Sequence, residues 1–132
     1  MNFIKLILIL LLLNIPSISK TEINDQSRIE VFFGKNTWKL SKESASYLDT
    51  LVIIINTNKD QFTNLKIDLI PMNCEEEYKR NCFIGVQRCK VVMDYLIIKG
   101  GFLPTVFSIK EPCNLSSVDC KNVGVVIELD PY

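Results

Sequence analysis

Asn81-Cys82-Phe83-Ile84-Gly85-Val86-Gln87-Arg88-Cys89-Lys90-Val91-Val92-Met93-Asp94-Tyr95-Leu96 is the stretch whose reading decides the fold. Ile84, Val91, Val92, Tyr95 and Leu96 recur at three- and four-residue steps, the period of an amphipathic helix. Arg88 lies on the same stripe, four residues after Ile84 and four before Val92. An arginine on the core side must have its fork of donors satisfied, because a buried unpaired cation is very costly. The residue pattern alone is met by a stem packed on the core, with the head reaching water or an internal carboxylate.

The run resembles the core motif of the OmpA-like C-terminal domain, the module that grips peptidoglycan in Gram-negative envelopes. Asn81, Ile84, Gly85, Arg88, Cys89, Val92, Asp94, Tyr95 and Leu96 carry the resemblance, with Ile for the family's Leu, Gly for its Ser and Cys for its Ala. The resemblance covers roughly residues 28–129. It implies that Arg88 is the family's ligand-binding arginine, with Asn81 and Gly85 in the motif around it. In the family that guanidinium meets the carboxylate of the diaminopimelate side chain of the stem peptide, and an aspartate meets the ammonium. One fixed anion and one bidentate cation suit a zwitterionic ligand end. Laid back from Asn81, the aspartate position falls on Asn73, the preceding threonine on Met72, and a glycine on Glu76. Asn73 accepts a hydrogen bond but brings no charge, a loss of about 1–2 kcal/mol. Glu75 or Glu76 are candidates to replace that charge from the loop. The family's Asn-Arg-Arg start to the last strand is Asn122-Val123-Gly124 here.

The first 19 residues read as a signal peptide. Lys5 is the basic start, Ile7 to Leu13 the apolar run, and Ser17 and Ser19 the small residues before cleavage. The run falls short of the roughly 20 residues that span a bilayer. No transmembrane span is therefore expected in the mature chain, and an uncleaved N-terminal anchor is the other reading. A periplasmic or outer-membrane-associated location is expected. A flexible lead over 20–27 and one domain over 28–130 follow, a length that suits a single core.

Fifteen basic residues balance fifteen acidic ones, which argues against nucleic acid as a partner. The chain has no histidine. Ser-His and Cys-His pairs and histidine-held zinc are therefore absent. Ser, Asp and Lys show no catalytic pattern, so no enzyme, cofactor or metal is expected. Five cysteines in an exported chain imply disulfides with one thiol over. Cys113 and Cys120 bracket a short loop and are expected to pair. Cys82 and Cys89, read as one helix, would stand about 10 Å apart and cannot bond. Cys74 is then expected to reach Cys82. Cys89, at a small buried position of the family, is left as a free, core-packed thiol. No Cys-x-x-Cys occurs, against a four-cysteine zinc site.

Strands are expected at Ile29–Phe33, Leu65–Ile70 (ending or reaching a sheet edge at Pro71), Phe107–Lys110 and Asn122–Leu129. A helix capped by Ser41 is expected from Lys42 to near Asn56, with Ala45, Leu48, Val52 and Ile55 inward. Residues 71–80 read as a loop whose glutamates suit the start of the organising helix, which stops at Lys99-Gly100-Gly101. The fold class is α+β, in the order βαβαββ, with helices packed on one face of a four-stranded mixed sheet. Three functions follow: peptidoglycan binding with weakened or altered affinity, an OmpA-like fold that has lost the wall ligand and serves as a structural or protein-interaction module (an envelope protein then being the partner), or an enzyme with no supporting constellation.

Overall fold

The computed structural model describes residues 28–110 and 119–130. The expected leader, the lead to residue 27 and Cys113 lie outside the described residues.

Strand β1 (Arg28–Phe32) alternates half-buried and buried residues, with Ile29 and Val31 inward. It pairs antiparallel with β4 (Gly124–Asp130), Arg28 opposite Glu128 and Phe32 opposite Gly124. On its other side β4 pairs antiparallel with β2 (Lys66–Met72), and β2 pairs in parallel with the short β3 (Phe107–Ile109). The sheet order β1-β4-β2-β3 is mixed, as expected. The most apolar strand, β4, is central and therefore flanked on both edges.

Helix α1 (Lys42–Thr57) begins where Ser41 Oγ accepts the Ser44 N–H at 3.1 Å. That bond satisfies one of the donors a helix start leaves open. The β-branched run Val52-Ile53-Ile54-Ile55 stays helical because Val52, Ile54 and Ile55 are buried with Leu48 and Leu51. Packing outweighs the local preference for strand. The long helix α3 (Ile84–Gly100) buries Ile84, Gly85, Arg88, Cys89, Val92 and Leu96. It stops at Gly101, which takes the left-handed φ of 71° and gives its N–H to Ile97 O at 3.0 Å. Tyr95 Oη donates to Asp49 Oδ1 and ties α3 to α1. Both helices lie on one sheet face. The core joins Ile29, Val31, Ile67, Leu69, Val125 and Ile127 of the sheet to Leu48, Leu51, Cys89, Val92 and Leu96 of the helices. No helix among the described residues is long and apolar enough to cross a membrane.

Two expectations are corrected. Pro71 does not end β2: it lies inside the strand opposite Val125, where the side toward β3 has become an edge, the other expected outcome. Leu69 O accepts from Lys110 N, so Leu69 faces β3, and Pro71, two residues on, faces the same way. The β3 pairing has ended at Leu69–Ile109, so the missing proline N–H breaks no ladder bond. Residues 71–80 are also not all loop. Glu75–Arg80 forms a short helix, α2, with Glu75, Glu76 and Glu77 in its first turn and Lys79 and Arg80 in its last. Those charges suit the dipole of α2 itself. The element order is thus βαβααββ.

Candidate functional site

The centre of the site is a buried ion pair. Arg88 projects from the inner face of α3 and is 0% exposed, as is Glu77 of α2. Arg88 Nη1 donates to Glu77 Oε1 at 2.9 Å and Nη2 to Glu77 Oε2 at 2.5 Å, a fork-on-fork pair. Arg88 Nε donates to Thr37 O at 2.8 Å, and Nη2 also donates to Gly34 O at 3.0 Å. The Phe33 ring lies under the guanidinium, 5.7 Å from its centroid. All three guanidinium nitrogens are therefore engaged within the chain.

The loop after β1 is shaped for this. Asn36 takes a left-handed φ of 59°, tolerable for asparagine, and its N–H donates to Glu77 Oε2. Gly34 O and Thr37 O thus face the cation while Asn36 N–H faces the anion. Burial on its own raises the Glu77 pKa. The hydrogen bond and charge of Arg88, with the Asn36 and Cys74 N–H groups, outweigh it and hold the carboxyl below its ordinary value. Glu77 is ionised at neutral pH.

Asn73 follows β2 and is 2% exposed, with Oδ1 buried and without a hydrogen-bond partner. It packs on Gly85, where an added Cβ would meet Asn73 Nδ2 at 2.5 Å and Pro71 Cβ at 2.7 Å. Met72 ends β2 and is half-buried. Asn81 organises the turn between the two adjoining helices: Oδ1 accepts the Phe83 N–H at 3.0 Å, and Nδ2 donates to Gln87 Oε1 at 3.1 Å. Glu76 points elsewhere, to an exposed ion pair with Lys35 at 3.0 Å, and Glu75 pairs with Lys79 at 3.1 Å. The structure thus brings Asn73 to Gly85 and Asn81 to Gln87, while Arg88 is paired with Glu77.

Sequence reasoning missed Glu77 as that partner. The run Glu75-Glu76-Glu77 was a signal of negative charge before the organising helix. Only the turn of α2 shows which of the three points inward.

The disulfide pairing is corrected. Cys74 bonds Cys120, with Cα atoms 5.0 Å apart, in place of the expected Cys74–Cys82 and Cys113–Cys120 pairs. The register sets Met72 beside Gly124. Cys74, two residues after one, and Cys120, four before the other, therefore leave the sheet at the same end. Cys82 lies beyond the far end of α2, about 9 Å of helix from Cys74. It sits in the turn before α3 and is an exposed free thiol. Cys89 is free and buried, as expected, and burial pushes its thiol up to about 12.

No protein-family model matches the sequence, and no curated protein matches it. Solved structures do. The C-terminal domain of Helicobacter pylori MotB (residues 125–256) superposes with a TM-score of 0.58 at 16% identity, over 76% of this chain and 81% of that one. The periplasmic domain of the same protein (residues 97–256) gives 0.58 at 18% identity, over 83% and 84%. The OmpA-like domain of FopA1 from Francisella tularensis subsp. tularensis SCHU S4 gives 0.55 at 13% identity, over 83% and 77%. The order of elements, the mixed sheet with helices on one face and these superpositions agree: this chain has the OmpA-like domain fold.

Proposed function

We propose that the chain is an exported cell-envelope protein whose OmpA-like domain is filled from within at the wall-ligand position and acts as a structural or protein-interaction module. One observation carries this reading: the fully buried, bidentate Arg88–Glu77 pair. If Arg88 holds the family's role, the external carboxylate that it would grip is replaced by Glu77. A stem peptide would have to expel a carboxylate that already accepts two guanidinium bonds and the Asn36 N–H. It would then find the uncharged Asn73 where an aspartate is wanted. Export rests on the leader sequence, and the periplasmic origin of the MotB domains supports an envelope setting. Trp38 and Phe83, 44% and 67% exposed, flank the segments that enclose the pair and offer aromatic contacts to a protein partner. No catalytic role is assigned: the buried Cys89 thiol stays protonated at neutral pH.

Peptidoglycan binding with weakened or altered affinity is the second reading. It is favoured by the unpartnered Asn73 Oδ1, a free acceptor for a ligand ammonium. Co-sedimentation with diaminopimelate-type sacculi separates the two, comparing the wild-type protein with Arg88→Ala and Asn73→Asp. The filled-site reading expects wild type in the supernatant and no rescue by Asn73→Asp. Pelleting that Arg88→Ala abolishes and Asn73→Asp strengthens would establish the second reading.

A further inference from the structure

We infer that α3 carries a second, outward-facing surface on which two copies of this chain pair antiparallel about a two-fold axis. The inference goes beyond the reading above and holds whatever fills the arginine site.

Both long helices lie on one sheet face, and α3 turns Ile84, Arg88, Val92 and Leu96 inward. On its opposite side, at helical steps, run Phe83, Val86, Lys90, Asp94, Ile97 and Gly101. The solvent side of a helix laid on a sheet is ordinarily polar. Here Phe83 is 67% exposed, Val86 and Ile97 are half-buried, and Ile98 beside them is 76% exposed. Exposed apolar side chains scattered singly need no explanation, whereas a line of them along one helix does.

The two charges on this line decide the partner. Lys90 and Asp94 are both exposed and stand four residues apart. Among the described residues neither joins an ion pair. Cation first and anion second is the weaker order for a pair within one helix. Between two helices the same order is self-complementary. With the two-fold at the level of Val92 and the helices antiparallel, Lys90 faces the partner's Asp94, and Asp94 faces the partner's Lys90. A parallel pair would set lysine on lysine and aspartate on aspartate, which repels.

The antiparallel register also matches shapes. Phe83 and Gly101 are equally far from Val92 in sequence, so Phe83 comes opposite the partner's Gly101. A Cβ added at Gly101 would meet no atom within 4 Å. The Phe83 ring therefore enters open space over a residue without a side chain, while Val86 comes opposite the partner's Ile97. The 17 residues of α3 span about 26 Å, and helices crossing at about 20° stay in contact over such a length. One helix pair buries less than the roughly 1,200 Å² at which stable interfaces begin, so the dimer is a weak, reversible one.

Sedimentation equilibrium of the oxidised protein tests the pairing. Cys82→Ser is present throughout, so that the exposed Cys82 thiol forms no link between copies. This parent is compared with its Lys90→Asp, Asp94→Lys, Lys90→Asp/Asp94→Lys and Phe83→Ala forms, each up to about 1 mM. All three side chains are exposed, so the variants keep the fold. The expected result is a reversible dimer for the parent, and association at least about tenfold weaker for each single change. The double swap should associate like the parent. An equimolar mixture of the Lys90→Asp and Asp94→Lys proteins should dimerise too, since each supplies the charge the other lacks. A parent that stays monomeric would overturn the inference, and so would a dimer indifferent to these changes. Single changes that the double swap fails to rescue would overturn the antiparallel register about Val92.

Discussion

Arg88 shows how one side chain can satisfy two different patterns. On the helical stripe it reads as a core-side arginine in need of an internal partner, and in the motif it reads as a ligand grip. The structure gives it the internal partner: Glu77 with both oxygens, and two carbonyls of the loop after β1. Breaking such a pair leaves one charge uncompensated in a dry site. Arg88→Ala or Glu77→Ala alone should therefore cost about 3–5 kcal/mol of folding stability in chemical denaturation. The combined Arg88→Met/Glu77→Leu protein should lose much less than the sum, since apolar replacement of both charges is often neutral. An additive result would contradict a coupled pair. The pair also fixes an acid limit. Glu77 has a folded pKa below its ordinary value. Its stabilisation is complete above the unfolded carboxyl value of about 4.3 and is lost as pH falls through the folded one. The stability gap between wild type and Glu77→Gln should stay flat from neutral pH down to about pH 5 and shrink below it. A gap that widens on acidification would mean that Glu77 is buried protonated.

At the scale of elements, the sequence was informative wherever a local rule decides. Ser41 before a periodic run marks the start of α1, and Gly101 at positive φ marks the end of α3. Ser41→Ala should cost about 1 kcal/mol in the same denaturation assay. Features that depend on which strands pair were not legible. Pro71 looked like a strand end because the sequence does not show that β3 stops short of it. Helix α2 was hidden because its six residues bury no apolar side chain, so no hydrophobic period exists to read. The disulfide likewise depends on the β2–β4 register, which brings the flanks of two distant strands to one sheet end. Gly85 illustrates a packing rule that overrides propensity. Alanine normally improves a helix by roughly 1 kcal/mol over glycine. Here its Cβ would meet Pro71 and the Asn73 amide under 3.0 Å, so Gly85→Ala should instead destabilise by about 1–3 kcal/mol.

At the scale of the whole molecule, the βαβααββ frame places three segments around one buried cation: the loop from Gly34 to Thr37, helix α2 and the start of α3. The fold was legible because its sheet and its two long helices follow hydrophobic periods. The state of the site was not, because it turns on which of three consecutive glutamates faces inward. The same frame explains why likeness of fold need not carry over likeness of ligand. Superposition at 13–18% identity reports the path of the backbone, whereas occupation of Arg88 is decided by Glu77 and the loop carbonyls. Trp38, Phe83 and Ile98 stay exposed on the surface of the molecule.

The most direct measurement follows the Arg88 Nε–H by NMR in the oxidised protein, free and with meso-diaminopimelate added in excess. Buried against Thr37 O and sealed by Glu77, this proton should exchange slowly with water and keep its shift when the ligand is added. A fast-exchanging Nε–H that moves on titration would contradict an arginine satisfied from within.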